Sequence, residues 1–239
     1  KFSLKGSSAI ITDSKTSKND IMEITGINEN LIHAIYLAAD EQFKTVTQKE
    51  LKQISQKYHL PESFILYVGD LNWNKNVLGL IKAFAELYKQ KKDIYLVVVG
   101  KAFLNKDLAE RMAVARLVKE LKLEKQIIFL GFVPTKDLAA LYNLAACYCQ
   151  PSFYEGFGLP VLEAQMAGVP VITSNSSSLA EVAGEMAILV NPSDSNQIAG
   201  EIYRILGDKR LQDGIIQKGY KNVERFSWEK CAREISNLL

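Results

Sequence analysis

Residues 151–175 read PSFYEGFGLPVLEAQMAGVPVITSN, and the fold class can be worked out from this stretch. An apolar run, Ala145 to Cys149, leads into Pro151-Ser152-Phe153-Tyr154-Glu155-Gly156-Phe157-Gly158, and a helical pattern follows from Leu159 to Ala167. Pro160 suits the first turn of that helix, and Gly168 followed by Pro170 ends it. A second short apolar run, Pro170–Thr173, comes next. Strand, glycine-bearing loop, helix and strand in this order form the repeating unit of a parallel α/β sheet.

The same alternation extends in both directions. Further strands are expected at Ala9–Thr12, Leu31–Tyr36, Phe64–Val68, Ile94–Val99, Ile127–Leu130 and Met186–Val190. Their continuous Val/Ile/Leu character implies burial on both faces, as crossover helices require. Val77 to Gln90 carries apolar residues at Leu80, Ile81, Phe84 and Leu87, a helical period, and Leu108 to Leu121 repeats it. Three closing helical patterns, Ser195–Leu206, Arg210–Arg225 and Trp228–Leu239, have no strand after them. Ser17 with Asp20, and Thr47 with Glu50, have capping-box spacing or its acidic variant. The expected architecture is α/β, a doubly wound Rossmann-like parallel sheet. The first forty-odd residues read differently: strand, short helix and strand lead into the polar break Ala38-Ala39-Asp40-Glu41-Gln42, and a complete doubly wound unit begins at Thr45. The expected division is therefore 1–45, a remnant of another domain with its linker, and 46–239, a ligand-binding domain. A chain beginning at Lys1 rather than Met reads as a fragment.

Composition narrows the functional classes. In 239 residues, 48% hydrophobic and 23% charged, 29 Lys plus Arg face 27 Asp plus Glu, a net charge of +2. That excess is too small for a dedicated nucleic-acid binder. No apolar run approaches the roughly 18 residues of a membrane span, and no secretory signal is visible. Cys147, Cys149 and Cys231 form no CxxC pair; Cys147 and Cys149 share one face of a strand as small core residues. The compartment is read as reducing and cytoplasmic. His33 and His59, with no HExxH and no Cys/His cluster, give no support to a metal site. The P-loop, the GxGxxG fingerprint and the GxSxG elbow are all absent.

Two loops remain, each leaving the carboxyl end of an expected strand, where open α/β sheets place ligands. In Gly69-Asp70-Leu71-Asn72-Trp73-Asn74-Lys75-Asn76, Lys75 puts a cation at a helix start, where the macrodipole disfavours it. A bound anion would resolve the conflict; a solvated lysine is the plainer alternative. In the second loop, Gly156 and Gly158 let main chain approach a ligand, and the helix at Leu159 offers free N–H groups. Glu155 and Glu163 are placed to grip separate hydroxyl-bearing parts of one ligand. The alternative is an exposed Glu155 and a locally paired Glu163.

Glu155 and Glu163, seven residues between them in this setting, resemble the E-x7-E motif of retaining glycosyltransferases of GT-B fold, family 4 most closely. Lys75 in GDLNWNKN resembles that family's donor-diphosphate loop. Gly131-Phe132-Val133-Pro134 with Leu138 and Tyr142 resembles its base-binding segment, and Ser178-Leu179-Ala180-Glu181-Val182 the following helix start. The likeness runs from about Ser8 to the C-terminus. It implies a GT-B C-terminal domain that binds a nucleotide sugar, with a remnant of the N-terminal acceptor domain. The missing N-terminal domain would pack on this one, and the helix around Trp228 would be the return crossover. By the same resemblance, Glu163 would hold ribose hydroxyls and Glu155 the transferred sugar. The N–H groups of Gly156, Phe157, Gly158 and Leu159 would meet sugar and phosphate. Gly69, Asp70 and Lys75 would line the diphosphate, Lys75 neutralising it, and Val133 with Leu138 would receive the base.

The implied reaction is retaining transfer of a hexose, with mannose a candidate, from a GDP- or UDP-sugar to a hydroxyl of a glycan or lipid-linked acceptor. It would need no cofactor and no obligate metal, in the cytoplasm or peripherally at the inner membrane face. Asp70 departs from the pattern, since many relatives carry Arg there; Lys101 is a candidate replacement cation. Rival readings are a same-fold nucleotide-sugar epimerase or phosphorylase-like enzyme, and a non-catalytic nucleotide-sugar binding module.

Overall fold

The computed structural model describes residues 4, 6–44 and 46–238. The apolar runs become strands β1 (Ile10–Thr12), β2 (Ile32–Ala34), β3 (Phe64–Val68), β4 (Tyr95–Val99), β5 (Ile127–Gly131), β6 (Cys147–Gln150), β7 (Val171–Ser174) and β8 (Ile188–Val190). The helical patterns become α1 (Lys15–Thr25), α2 (Gln48–Lys57), α3 (Val77–Gln90), α4 (Ala109–Glu120), α5 (Thr135–Leu144) and α6 (Leu159–Met166). They continue as α7 (Ser177–Ala183), α8 (Ser195–Gly207), α9 (Lys209–Val223) and α10 (Trp228–Ser236). Leu239, the last residue of the closing pattern, lies outside the described residues, as does Thr45 at the expected break.

Strands β3 to β8 form one parallel sheet in the order β5-β4-β3-β6-β7-β8. The chain winds outward from β3 to β5, then returns to the centre and winds the other way from β6. Loops after β3 and β6 therefore diverge to opposite sides, and the crevice between them is the switch point where such sheets bind ligands. Strands β1 and β2 pair in parallel in a separate two-stranded sheet, Ile10 opposite Ile32.

Strand alternation sorts the core into two layers. Ile65, Tyr67, Cys147 and Cys149 face Leu80, Ile81 and Phe84 of α3 and Ile198, Ile202 and Ile205 of α8. Phe64, Leu66 and Tyr148 face Leu141 and Tyr142 of α5 and Val161 and Ala164 of α6. Each fully buried aliphatic side chain contributes about 1.5–3 kcal/mol. The two cysteines sit on one face, as the sequence implied, and burial pushes the Cys147 thiol up to about 12, which leaves it inert.

Three local expectations are corrected. Helix α1 is capped by Ser14, whose Oγ accepts from Ser17 N at 3.0 Å, rather than by a Ser17–Asp20 box. Ser17 is already helical and donates its hydroxyl to Asp13, while Asp20 accepts from the Tyr154 hydroxyl. The Thr47–Glu50 box does form. Strand β8 starts at Ile188 rather than Met186, because Gly184–Met186 forms a 3-10 turn. Strand β2 is shorter than the apolar run Leu31–Tyr36, since only Ile32–Ala34 finds a partner strand.

Gly69, Gly100 and Gly131 close β3, β4 and β5, and they let the strand ends approach one another: Gly69 N donates to Val99 O and Gly100 N to Gly131 O. A Cβ on Gly100 would lie 2.1 Å from Gly69 O, a main-chain atom that cannot yield without moving the loop. Gly100→Ala should therefore cost roughly 1–3 kcal/mol in urea denaturation. Gly200, inside α8, has no neighbour within 4 Å of an added Cβ. Gly200→Ala should instead stabilise by about 0.5–1 kcal/mol. Equal effects at the two positions would contradict this packing.

Candidate functional site

The site is built where the β3 and β6 loops face each other. Asn76 adopts the left-handed conformation (φ 53°), which Asn tolerates better than most residues. Its buried amide donates to Pro151 O at 2.9 Å and Pro192 O at 2.6 Å, tying the β3, β6 and β8 loops together. Phe153 N donates to Asn74 O at 2.7 Å, and Asn74 Nδ2 donates to Tyr154 O at 2.9 Å. These bonds bring a 3-10 turn, Trp73–Lys75, against the loop that carries Glu155.

Lys75 Nζ lies 2.6 Å from Glu155 Oε2. The electrostatic conflict noted at the start of α3 is thus answered from within the chain, by a carboxylate 80 residues away. Glu155 is 7% exposed, so its charge needs full satisfaction. Its other oxygen accepts from Gln150 Nε2 and from Ser152 Oγ, each at 2.7 Å, and Gln150 is oriented in turn by the Tyr148 hydroxyl. The main chain is held as firmly: Glu155 N donates to Ser177 Oγ, and Ser178 Oγ bonds the carbonyls of Glu155 and Phe157. With two further donors on Oε1, Glu155 remains hydrogen-bonded if Lys75 turns to another anion. The lysine side chain, 21% exposed, is the more open partner of the pair.

Glu163 lies on α6, one turn beyond Leu159, and accepts from the Tyr142 hydroxyl at 2.8 Å. Burial pushes its carboxyl above the usual range; the Tyr142 hydrogen bond opposes that, and the charge of Asp40 adds to it. No bond joins Glu163 to Lys75 or Glu155; the link between them is the Tyr142–Tyr148 edge-to-face contact, centroids 5.4 Å apart. Gly158 caps α6 at φ 107°; Pro160 has no N–H and Val161 N donates to Gly158 O at 2.9 Å, so the Leu159 N–H is the helix-start donor without an intrahelical acceptor. Gly156 faces the turn before α1, where Asp13 Oδ2 lies 3.3 Å from its Cβ position.

A cavity of about 800 Å³ opens over the carboxyl ends of β3, β4 and β5, lined by Gly69, Asp70, Lys101, Leu104, Val133 and Leu138 among others. The structure therefore places Gly69, Asp70, Val133 and Leu138 together with Lys101. Lys75, at the far end of the β3 loop, and Glu155, on the β6 loop, stand beyond its edge. Asp70 Oδ1 accepts from Leu71 N at 2.9 Å, which engages part of its carboxylate locally. Sequence reasoning missed Gln150, Ser152 and Ser177; nothing in a strand end or a serine run announces that the first two converge on the Glu155 carboxylate and the third on its main-chain N–H. Among the described residues no group of three His, Cys, Asp or Glu side chains could hold a metal ion, and no helix is long and apolar enough to cross a membrane.

Glu181 of α7 reaches the two-stranded unit. Its carboxylate accepts from Lys15 N at 2.9 Å, Thr16 N and Thr16 Oγ1 at 3.2 Å each, and the Tyr36 hydroxyl at 2.6 Å. The same short helix therefore fixes the Glu155 loop through Ser177 and Ser178 and grips the start of α1.

Residues 48–222 match the family described as glycosyl transferases group 1. The chain is 33% identical over 237 residues to O-antigen chain mannosyltransferase B of Escherichia coli, covering 98% of this chain and 61% of that protein. It is 32% identical to the serotype-specific mannosyltransferase WbdA of Escherichia coli, over 94% of this chain and 28% of that one. The chain thus spans less than two thirds of these relatives. Among solved structures it is similar to Anabaena Alr3699/HepE in complex with UDP and glucose, with TM-score 0.87 and 20% identity over 97% of this chain and 62% of that one. It is also similar to the C-terminal domain of a glycosyl transferase group 1 family protein from Francisella tularensis, with TM-score 0.67 and 28% identity over 79% of this chain and 97% of that one.

Burial pushes the Glu181 carboxyl up, but the hydrogen bonds from Tyr36, Lys15 and Thr16 outweigh it and hold it below the usual range. A depressed native pKa gives stability that is present above the unfolded value, about 4.3, and lost as pH falls through the native one. Glu181→Ala should cost about 1–2 kcal/mol at pH 7, with the difference shrinking as pH drops below about 4. Urea titrations at both pH values check this; a deficit that persists unchanged in acid would contradict it.

Proposed function

The chain belongs to the glycosyl transferases group 1 family and has the α/β fold of GT-B glycosyltransferases, and from that membership we propose that it forms the donor side of a retaining hexosyltransferase of family 4. The observation that carries this reading is the Lys75–Glu155 pair at the switch point, a cation held in reserve by a carboxylate that has two other partners.

In this reading a GDP- or UDP-sugar lies along the carboxyl ends of β3 to β5. The base enters the cavity beside the Val133 main chain and Leu138, and the ribose hydroxyls donate to Glu163. A carboxylate is suited to two vicinal hydroxyls because it is an acceptor only. The diphosphate runs past Gly69 and Asp70 to Lys75, whose ammonium leaves Glu155 Oε2 for the phosphate. Glu155 then accepts from hydroxyls of the transferred sugar, and the N–H groups of Gly156 to Leu159 meet sugar and phosphate. As the glycosidic bond breaks, negative charge builds on the leaving diphosphate, where Lys75, already turned to the phosphate, and the opening turn of α6 stabilise it. Fixed positive charge of this kind does the work for which an obligate metal is otherwise used.

The names of the relatives favour mannose as the sugar and a growing glycan, lipid-linked or free, as the acceptor. The UDP and glucose bound by HepE support a nucleotide-sugar donor. The C-terminal domain from Francisella tularensis, matched by 79% of this chain, lends support to a division into a donor domain, 46–239, and a remnant of the acceptor domain, 1–45. Asp70 favours the second reading, a nucleotide-sugar binding module without turnover, because it places an exposed carboxylate in the diphosphate loop. Lys101, lining the same cavity, offsets that charge.

Glu163→Ala should weaken GDP or UDP binding about tenfold or more in calorimetric titration, because ribose hydroxyls lose their acceptor; unchanged affinity would contradict the assignment. Lys75→Ala should lower transfer turnover by more than about tenfold, equivalent to about 1.4 kcal/mol. Wild-type rates in that variant would remove the charge-stabilising role.

A further inference from the structure

Behind the turn that carries Lys75 lies a second concavity, about 200 Å³ in volume. Its walls include Trp73 and Leu78 from the β3 loop and α3, Phe153 from the β6 loop, and Asn72, Glu110 and Ala113. Trp73 is 78% exposed, and Leu78 and Phe153 are 40% and 37% exposed. Single exposed apolar residues are ordinary, but three lining one hollow are not. The fold gains nothing from leaving an indole in water on a turn whose main chain is already fixed by Asn72 and Trp73 carbonyl bonds.

Of the three polar side chains at this hollow, Asn76 is engaged by Pro151 and Pro192, while Asn72 and Glu110 are underused. Asn72 precedes the 3-10 turn without a side-chain capping bond, and Glu110 stands in the first turn of α4. The combination is flat aromatic surface, a carboxylate that accepts, and an amide that both donates and accepts. An aliphatic partner would strand Glu110 and Asn72, whereas a pyranose ring offers C–H faces to the aromatics and hydroxyls to the polar pair. The volume is below the roughly 300 Å³ at which pockets for larger ligands begin, and suits a single ring.

We propose that this hollow is a monosaccharide-binding subsite that holds one pyranose unit of a glycan chain beside the transfer site. It shares its walls with both loops of that site: Trp73 lies two residues before Lys75, and Phe153 two residues before Glu155. A glycan anchored here is kept close to the donor loop between transfers. The identity of that glycan as the acceptor rests on the proposed transferase function; the subsite itself rests on the geometry of the hollow.

Mannotriose and maltotriose serve as probes. With two tryptophans in the chain, Trp73 and Trp228, intrinsic fluorescence should change saturably with trisaccharide in the wild type and in Trp228→Phe. Trp73→Ala should lower the affinity about fivefold or more by saturation-transfer NMR, with Glu110→Gln weakening it in the same direction. The thermal shift produced by GDP or UDP should be the same in Trp73→Ala as in the wild type. Absence of binding by both trisaccharides, or equal binding by Trp73→Ala, overturns the proposal. So does Trp73-dependent self-association in sedimentation, or Trp73-dependent binding to phosphatidylethanolamine–phosphatidylglycerol vesicles in place of sugar binding. Sugar binding with no response to any nucleotide would leave the subsite standing and remove the donor reading instead.

Discussion

The short ion pair between Lys75 and Glu155 is the constraint around which the site is arranged. Glu155 is buried, and a buried carboxylate persists only with its lone pairs engaged. Gln150 and Ser152 supply that engagement from the protein interior, while Lys75 supplies it from the more open side. The pair exists because the order in which strands are added reverses at β3 and β6, so two loops far apart in sequence leave neighbouring parallel strands. Asn76, in its left-handed conformation, then binds those loops together. A buried pair of this kind contributes little net stability compared with apolar packing, and its value is in specifying one geometry. Here that geometry is a cation that can be handed to a ligand without leaving a bare carboxylate behind.

A single short helix coordinates two structural units. The first turn of α7 bonds the Glu155 and Phe157 main chain, and Glu181 on its next turn receives four donors from Lys15, Thr16 and Tyr36. Tyr36 also packs against Phe157 and Phe226 with centroids 6.1 and 5.6 Å away, so the polar clasp sits beside an aromatic one. Burial and the Glu181 bond push the Tyr36 hydroxyl well above its usual pKa, which keeps it a donor. The two-stranded unit is thereby seated over Gly156, the residue whose main chain faces the proposed sugar.

The strands and most helices were legible in the sequence because burial on both sheet faces leaves unbroken Val/Ile/Leu runs, as in Phe64–Val68. Lys75 was legible as a chemically misplaced cation at a helix start, and Glu155 as a carboxylate in a loop beside Gly156. What pairs with them was not, because local spacing carries no record of which strands become neighbours. The sequence called for an anion at Lys75, and topology supplied Glu155. Gln150 and Ser152 look like the end of a strand and the start of a loop, and only the fold aims both at one oxygen. Ser14 and Ser17 both precede polar residues, and which of them caps α1 depends on where β1 ends.

The central claim is that the switch-point crevice takes a nucleoside diphosphate and that Lys75 changes partner when it does. A structure of the chain crystallised with GDP-mannose or with UDP tests this most directly. The phosphate should lie within hydrogen-bond distance of Lys75 Nζ, the ribose against Glu163 and the base beside Val133, with Glu155 still held by Gln150 and Ser152. A nucleotide bound elsewhere, with Lys75 still paired to Glu155, would contradict the account.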